Sequence, residues 1–288
     1  MLIYVSNFNS DSISVFEPRA CGNAAPVRRI AGARTRLRGP IGMAVDAERK
    51  LYVANRGGTG ITVYAPDADG NVAPRRVLNA AGLQAAEALA IGPSGDAFVS
   101  SWSSGVAARC AAIFHFGVDA ERSDYAISGP RTGLTYPVGL AIDEQGALLV
   151  ANAFGGVVGA FAAGAIGNAL PLRSFTAATD STQGIACGAR MLVLSGACVC
   201  LYAGGAGAGA KPASVFARSA LLPLRRPGGV AIDVGVAPPI VCVADFAACA
   251  VYLIRTAGVA PQLSVASVSA IEGPATGLYG PIGVLVAD

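Results

Sequence analysis

The chain is predicted to fold as an all-β, six-bladed β-propeller with four antiparallel strands per blade, and three observations predict it. One phrase recurs along the whole chain at a propeller-like spacing, two further strand-like phrases follow each copy in a fixed order, and the chain begins in the middle of one unit and ends with that unit's first strand. A unit of this kind cannot bury its apolar faces alone, so the six are read as a single propeller domain over residues 1–288.

The first phrase is PIGMAVD (Pro40 to Asp46), PVGLAID (Pro137 to Asp143), PGGVAID (Pro227 to Asp233) and PIGVLVAD (Pro281 to Asp288), with degenerate copies AEALAIG (Ala86 to Gly92) and TQGIACG (Thr182 to Gly188). The second ends on a polar or small residue: IYVSN (Ile3 to Asn7), LYVAN (Leu51 to Asn55), AFVSS (Ala97 to Ser101), LLVAN (Leu148 to Asn152), LVLSG (Leu192 to Gly196) and VCVAD (Val241 to Asp245). The third is ISVF (Ile13 to Phe16), ITVY (Ile61 to Tyr64), IFHF (Ile113 to Phe116), VGAF (Val158 to Phe161), VCLY (Val199 to Tyr202) and VYLI (Val251 to Ile254). Short β-branched and aromatic runs punctuated by Gly and Pro read as strands. A weaker fourth strand is introduced in three copies by a Gly-Asn turn and Pro: GNAAPVRR (Gly22 to Arg29), GNVAPRR (Gly70 to Arg76) and GNALPLR (Gly167 to Arg173). Four strands in each of six units make a propeller, and Pro281 to Asp288 is expected to pair with Leu2 to Asn7, removing two open sheet edges at once.

Composition narrows the function classes. The chain is 53% hydrophobic and 14% charged, with 37 Gly and 17 Pro, enough apolar material for a large core divided by many turns. Apolar runs are broken by Gly, Pro, Asp, Asn or Arg well short of the roughly 20 residues of a bilayer helix, so no membrane span is expected. MLIYVSN enters a strand pattern directly, without the basic start and long apolar stretch of a signal peptide, so none is expected in this chain. Its net charge of +3 comes with arginines scattered over loops. The one cluster, Arg28 to Arg38, reads as a solvated loop face, and no nucleic-acid partner is expected. With seven Cys but no CxxC or Cys/His pairing, no structural zinc is expected, and Cys187, Cys198, Cys200 and Cys242 lie in apolar runs where free thiols pack as small hydrophobes.

The repeats resemble those of NHL-type propellers over nearly the whole chain. They are especially similar to bacterial propellers whose repeats read GNVAP, TGL, then a PxGIAVD and LYVAN pair, here seen at Gly70 to Pro74, Thr132 to Leu134, Thr276 to Leu278 and Pro40 to Asn55. The resemblance implies that each first strand lines the central channel, and that its start shares the functional face with the end of the second strand. It implies no activity, because propellers of this kind include hydrolases, lyases, scaffolds and RNA binders.

Candidate site residues are those at which one blade departs from the others on that face. At the channel-mouth position the six units carry Ile41, Glu87, Val138, Gln183, Gly228 and Ile282, and at the end of the second strand Asn55, Ser101, Asn152, Gly196, Asp245 and Asn7. Glu87 and Asp245 are the candidate catalytic carboxylates, since burial beside a channel raises a carboxyl pKa toward the range of a general acid or base. Trp102, Phe154 and Phe246 follow second strands, and Tyr136 and Tyr279 precede first strands. Together with Asn7, Asn55, Asn152 and Gln183 they are the expected lining of a pocket for a small-molecule or peptide ligand. The asparagines carry a second reading, as turn formers that satisfy nearby backbone. Asp46, Asp143 and Asp233 belong to the repeat and are expected to brace turns at the opposite end of the first strand.

Two enzyme classes stand beside ligand binding. No cofactor is fixed by the sequence. A similarity to lactonase-like six-bladed propellers implies a divalent cation such as calcium on the channel axis, held by oxygens of Asn55, Glu87, Asn152 and Asp245. The other class is metal-free lyase, isomerase or cyclase chemistry with Glu87 or Asp245 moving the proton and Tyr136 or Tyr279 beside it. The only histidine, His115, lies in a third strand, which excludes a Ser-His-Asp triad and polyhistidine metal sites. GGAGAGA (Gly204 to Ala210) lacks the lysine-serine ending of a phosphate loop and reads as a hairpin turn.

Overall fold

The computed structural model describes residues 1–58, 60–103, 110–179, 181–188 and 190–287. Six four-stranded antiparallel sheets stand around one axis. Blade 1 holds β1 (Leu2–Asn7), β2 (Ser12–Phe16) and β3 (Arg28–Ala31); blade 2 holds β4 (Pro40–Val45), β5 (Leu51–Asn55), β6 (Ile61–Tyr64) and β7 (Arg76–Leu78). Blade 3 follows with β8 (Ala86–Ile91), β9 (Ala97–Ser103), β10 (Cys110–Phe116) and β11 (Tyr125–Ser128), and blade 4 with β12 (Pro137–Ile142), β13 (Leu148–Asn152), β14 (Val157–Phe161) and β15 (Arg173–Thr176). Blade 5 is β16 (Gly184–Gly188), β17 (Met191–Ser195), β18 (Val199–Ala203) and β19 (Ser214–Phe216); blade 6 is β20 (Pro227–Asp233), β21 (Ile240–Asp245), β22 (Ala250–Val259) and β23 (Gln262–Glu272). The closing strand β24 (Pro281–Ala287) returns to blade 1 and pairs with β1 from Leu2↔Ala287 to Asn7↔Pro281, the ring closure expected from the residue order. Asp288, the last residue of that phrase, lies outside the described residues.

Each blade is covered on both faces by its neighbours, so the second and third strands are apolar without strict alternation. Val53, Val63, Val99, Ile113, Val150 and Val193 have no more than 0% of their surface exposed. The clusters they form span adjacent blades: Ala54 and Ile61 of blade 2 pack with Leu89, Val99 and Phe116 of blade 3. At the axis the first strands crowd together, which explains the Gly of the PxG phrase. A Cβ on Gly42 would stand 2.6 Å from the Glu87 carbonyl oxygen of the next blade.

The Gly-Asn turns do more than introduce the fourth strand. Asn23, Asn71 and Asn168 each accept a backbone N–H from the 3-10 turn that follows the fourth strand of the preceding blade, at Ala275, Arg34 and Arg131, over 2.7 to 2.8 Å. The motif is therefore a latch between blades. At the far end of the first strands Asp46, Asp143 and Asp233 accept turn amides, as expected: Asp143 Oδ1 takes Gln145 N–H and Ala147 N–H, Asp46 those of Glu48 and Lys50, and Asp233 that of Gly235. Among the described residues no helix is long and apolar enough to cross a membrane.

Candidate functional site

The channel mouth opens into a cavity of about 420 Å³, and all six first-strand positions singled out in the sequence line it: Ile41, Glu87, Val138, Gln183, Gly228 and Ile282. Four are apolar or Gly and two are polar, so at this position the polar side chains come from blades 3 and 5. Glu87 is only 3% exposed. Its Oε1 lies 3.1 Å from Arg56 Nε, yet that N–H is not aligned on it, and the oxygen is buried without a hydrogen bond. Arg56 turns its other end to Tyr136, donating from Nη2 to the phenolic oxygen over 2.8 Å.

Burial pushes the Glu87 carboxyl above its ordinary value of 4.5, against the opposing pull of the Arg56 charge and the Tyr136 hydroxyl. The Tyr136 hydroxyl is itself raised, by burial first and by the nearby Glu87 charge next. Above this polar group stands an aromatic wall. Trp102 meets Tyr136 edge to face with centroids 4.4 Å apart, and Tyr136 meets Phe154 at 5.3 Å. Phe154 is 65% exposed and sits at the rim. Gln183 is exposed at the opposite side and donates from Nε2 to Ser181 Oγ over 2.7 Å.

Other expected site residues are placed differently. Asp245 is fully buried, and its carboxylate accepts backbone N–H groups from Arg225 (2.6 Å), Arg226 (3.0 Å) and Ala248 (3.0 Å). It braces the loop before β20 and does not line the cavity. Asn7, Asn55 and Asn152 do the same work in their blades: their Oδ1 atoms accept from Tyr279 N–H, Arg38 N–H and Thr135 N–H at 3.2, 3.0 and 2.9 Å. This corresponds to the turn-forming reading of the asparagines. Tyr279 is 59% exposed and Phe246 lies beneath the Arg226 guanidinium at 4.9 Å; neither lines the cavity.

These bonds bear on the cation set. The oxygens of Asn55, Asn152 and Asp245 are engaged by backbone amides and Glu87 is paired with Arg56, so the set does not fit a cation on the axis. Among the described residues no group of three or more His, Cys, Asp or Glu is gathered to hold a metal ion. His115 lies away from the mouth, stacked on Tyr125 at 4.3 Å with Asp96 at 3.1 Å and Asp124 at 3.3 Å from its ring nitrogens.

Sequence reasoning missed two cavity cations, Arg56 and Arg226. Each stands within two residues of a position already compared: Arg56 directly follows Asn55, where blades 3 and 6 carry Trp102 and Phe246, and Arg226 lies two residues before Gly228, where blade 4 carries Tyr136. Comparing those flanking positions across the blades would have found both.

No protein-family model matches the chain, and no curated protein matches its sequence. Its likeness to solved structures is one of fold. A streptogramin B lyase covers 98% of this chain with 82% of its own length, at 13% identity and a TM-score of 0.61. The PQQ-bound aldose sugar dehydrogenase of Streptomyces coelicolor covers 91% with 89% of its own, at 16% identity and 0.59. A putative 6-phosphogluconolactonase of Bacteroides uniformis covers 98% with 84% of its own, at 14% identity and 0.59. The three carry different activities on similar propellers, so function here rests on the site itself.

Proposed function

We propose that the chain is an NHL-type propeller that binds a small organic molecule, or the end of a peptide, at its channel mouth. The observation that carries this reading is the cavity in which Glu87, Arg56 and the Tyr136 hydroxyl are gathered beside the rings of Trp102, Tyr136 and Phe154. An apolar pocket with a few converging polar groups is the usual character of a small-molecule site. The bound molecule presents an apolar or aromatic face to the ring wall and a polar group to Glu87 and Arg56. Thermal shift against a library of small aromatic and amphipathic compounds tests this. A ligand at 100 times its Kd stabilises the fold by about 2.7 kcal/mol, and the Tm rise should vanish in Trp102→Ala. Hits that bind W102A and E87Q as they bind the wild type, or no hits at all, overturn the proposal.

A second reading is metal-free proton-transfer chemistry of the lyase, isomerase or cyclase kind. The raised carboxyl of Glu87, a cavity-lining residue whose Oε1 is buried without an aligned donor, favours it. A carboxyl held above its ordinary range is suited to take or give a proton near neutrality. Tyr136 is the polar aromatic partner on the cavity wall, whereas Asp245 and Tyr279 do not line the cavity. The fold of a streptogramin B lyase is similar, which is compatible with this chemistry without specifying a substrate. The lactonase-like, metal-dependent alternative has less support, because three of its four oxygen donors are engaged elsewhere.

A further inference from the structure

Blade 5 carries a feature unrelated to the cavity chemistry. Cys198 and Cys200 flank Val199 at the start of β18, and their Sγ atoms are 3.4 Å apart. Strand alternation explains the approach: Val199 turns toward the apolar core shared with blade 6, while both cysteines turn toward the core shared with blade 4. Cys200 is fully buried, and Cys198 is partly open to solvent in the turn before the strand. The other described cysteines, Cys21, Cys187, Cys242 and Cys249, have no such thiol neighbour.

We propose that Cys198 and Cys200 are a reversible dithiol–disulfide pair, with Cys198 the attacking sulfur and Cys200 the resolving one, oxidised by a small-molecule disulfide. Three features support the assignment of roles. Only Cys198 is reachable by an oxidant. The thiol hydrogen bond with Cys200 draws the Cys198 thiol below its ordinary value of 9.0, while Cys200 is raised by the same bond and by burial, so the thiolate forms on the accessible sulfur. Residues two apart on one strand are roughly 6.4–6.8 Å apart, at the upper edge of the Cα separation that a disulfide spans. Cys198 lies just outside the strand, where its turn can supply the remaining movement.

The chemistry balances without a metal. The Cys198 thiolate attacks one sulfur of RS–SR, that S–S bond breaks, and RS⁻ leaves and takes up a proton. Cys200 then loses its proton to solvent and attacks Cys198 Sγ, expelling the second RS⁻. Two protein thiols have been oxidised by two electrons, and one small disulfide has become two thiols. The pair stands one turn behind the cavity: Cys198 O accepts the Gly196 N–H over 3.0 Å, and Gly196 packs against Thr179 and Ser181, whose segment forms the blade-5 wall of the mouth.

Mass spectrometry of the whole folded chain tests this, because the tryptic segment 191–218 contains these two cysteines and no others. The protein is equilibrated with mixtures of oxidised and reduced glutathione, acid-quenched, alkylated and digested. The expected product is a segment lighter by two hydrogens with neither cysteine alkylated, restored by reduced dithiothreitol. In Cys200→Ser the segment should instead hold a stable glutathione adduct on Cys198, and in Cys198→Ser its reaction should slow about tenfold or more. The proposal is overturned if the wild-type segment stays fully alkylated where exposed Cys21 has reacted. It is equally overturned if the segment carries two separate adducts, or if Cys198 links to a cysteine outside it. The wild-type result decides the matter even where a variant fails to fold.

Discussion

Replacing Asp245 separates a structural carboxylate from a catalytic one. Asp245→Ala removes the acceptor of three backbone donors, Arg225 N–H at 2.6 Å, Arg226 N–H at 3.0 Å and Ala248 N–H at 3.0 Å, from a side chain with no exposed surface. Hydrogen bonds to a charged acceptor are worth about 1.5–3 kcal/mol each. The donors are in part-buried loops that water can reach once the carboxylate is gone, so the loss is less than the sum, about 3–5 kcal/mol. That is a large share of a domain stability of about 5–15 kcal/mol. Asp245→Asn keeps one oxygen, as Asn7, Asn55 and Asn152 do in their blades, and should cost only about 1–2 kcal/mol. Urea unfolding followed by the fluorescence of Trp102, the only tryptophan, reads both variants as shifts in midpoint at unchanged slope. If D245A stays within about 0.5 kcal/mol of the wild type, these bonds hold nothing together and the bracing argument is wrong.

Two other perturbations address the site and the ring. Glu87 is held above its ordinary 4.5, so in the window just above 4.5 the folded chain keeps a proton that the unfolded chain has lost, and stability falls as pH rises through the raised value. Glu87→Gln does not titrate, so its urea midpoint should gain on that of the wild type as pH climbs above 4.5; a difference that stays constant with pH refutes the burial argument. Deleting Pro281 to Asp288 removes β24 and its register with β1, together with inner-strand side chains worth up to about 1.5–3 kcal/mol for each large one fully buried. The truncated chain should lose its cooperative thermal transition by circular dichroism and aggregate in size-exclusion chromatography, whereas an unchanged monomeric melt contradicts closure by these residues.

The blades were legible because the same packing problem is solved six times, so the same residue types return at the same places: Val53, Val150 and Val243 all answer to one buried position. Ring closure was legible from residue order alone. The roles of polar residues were harder, since their partners are remote in sequence. Asn23 serves Ala275, 252 residues away, and no local pattern around the Gly-Asn turn reveals that bond. Asn55 and Asp245 looked alike as candidate ligands and as turn formers because both uses require an oxygen at the end of the second strand. Only the positions of the Arg38, Arg225 and Arg226 amides separate the two. Arg56 escaped notice for a different reason: a long cation beside a turn reads as solvated surface, and its reach to Glu87 and Tyr136 depends on how three blades converge.

Near-symmetry also supplies the physical argument for where function lies. At the mouth position Ile41, Val138 and Ile282 meet the demands of the scaffold with an apolar side chain, so nothing in the fold calls for a carboxyl at position 87. Burying one there is unfavourable: it desolvates the charge, raises the carboxyl, and leaves Oε1 without an aligned donor while Arg56 holds its N–H groups off line. Asp245 shows the contrast, since its carboxylate is equally buried but met by three amides, which is how a structural group is satisfied. The under-satisfied group thus belongs to a residue that lines the cavity, beside a ring wall and a guanidinium, which is why the proposed ligand is expected to present a hydrogen-bond donor there.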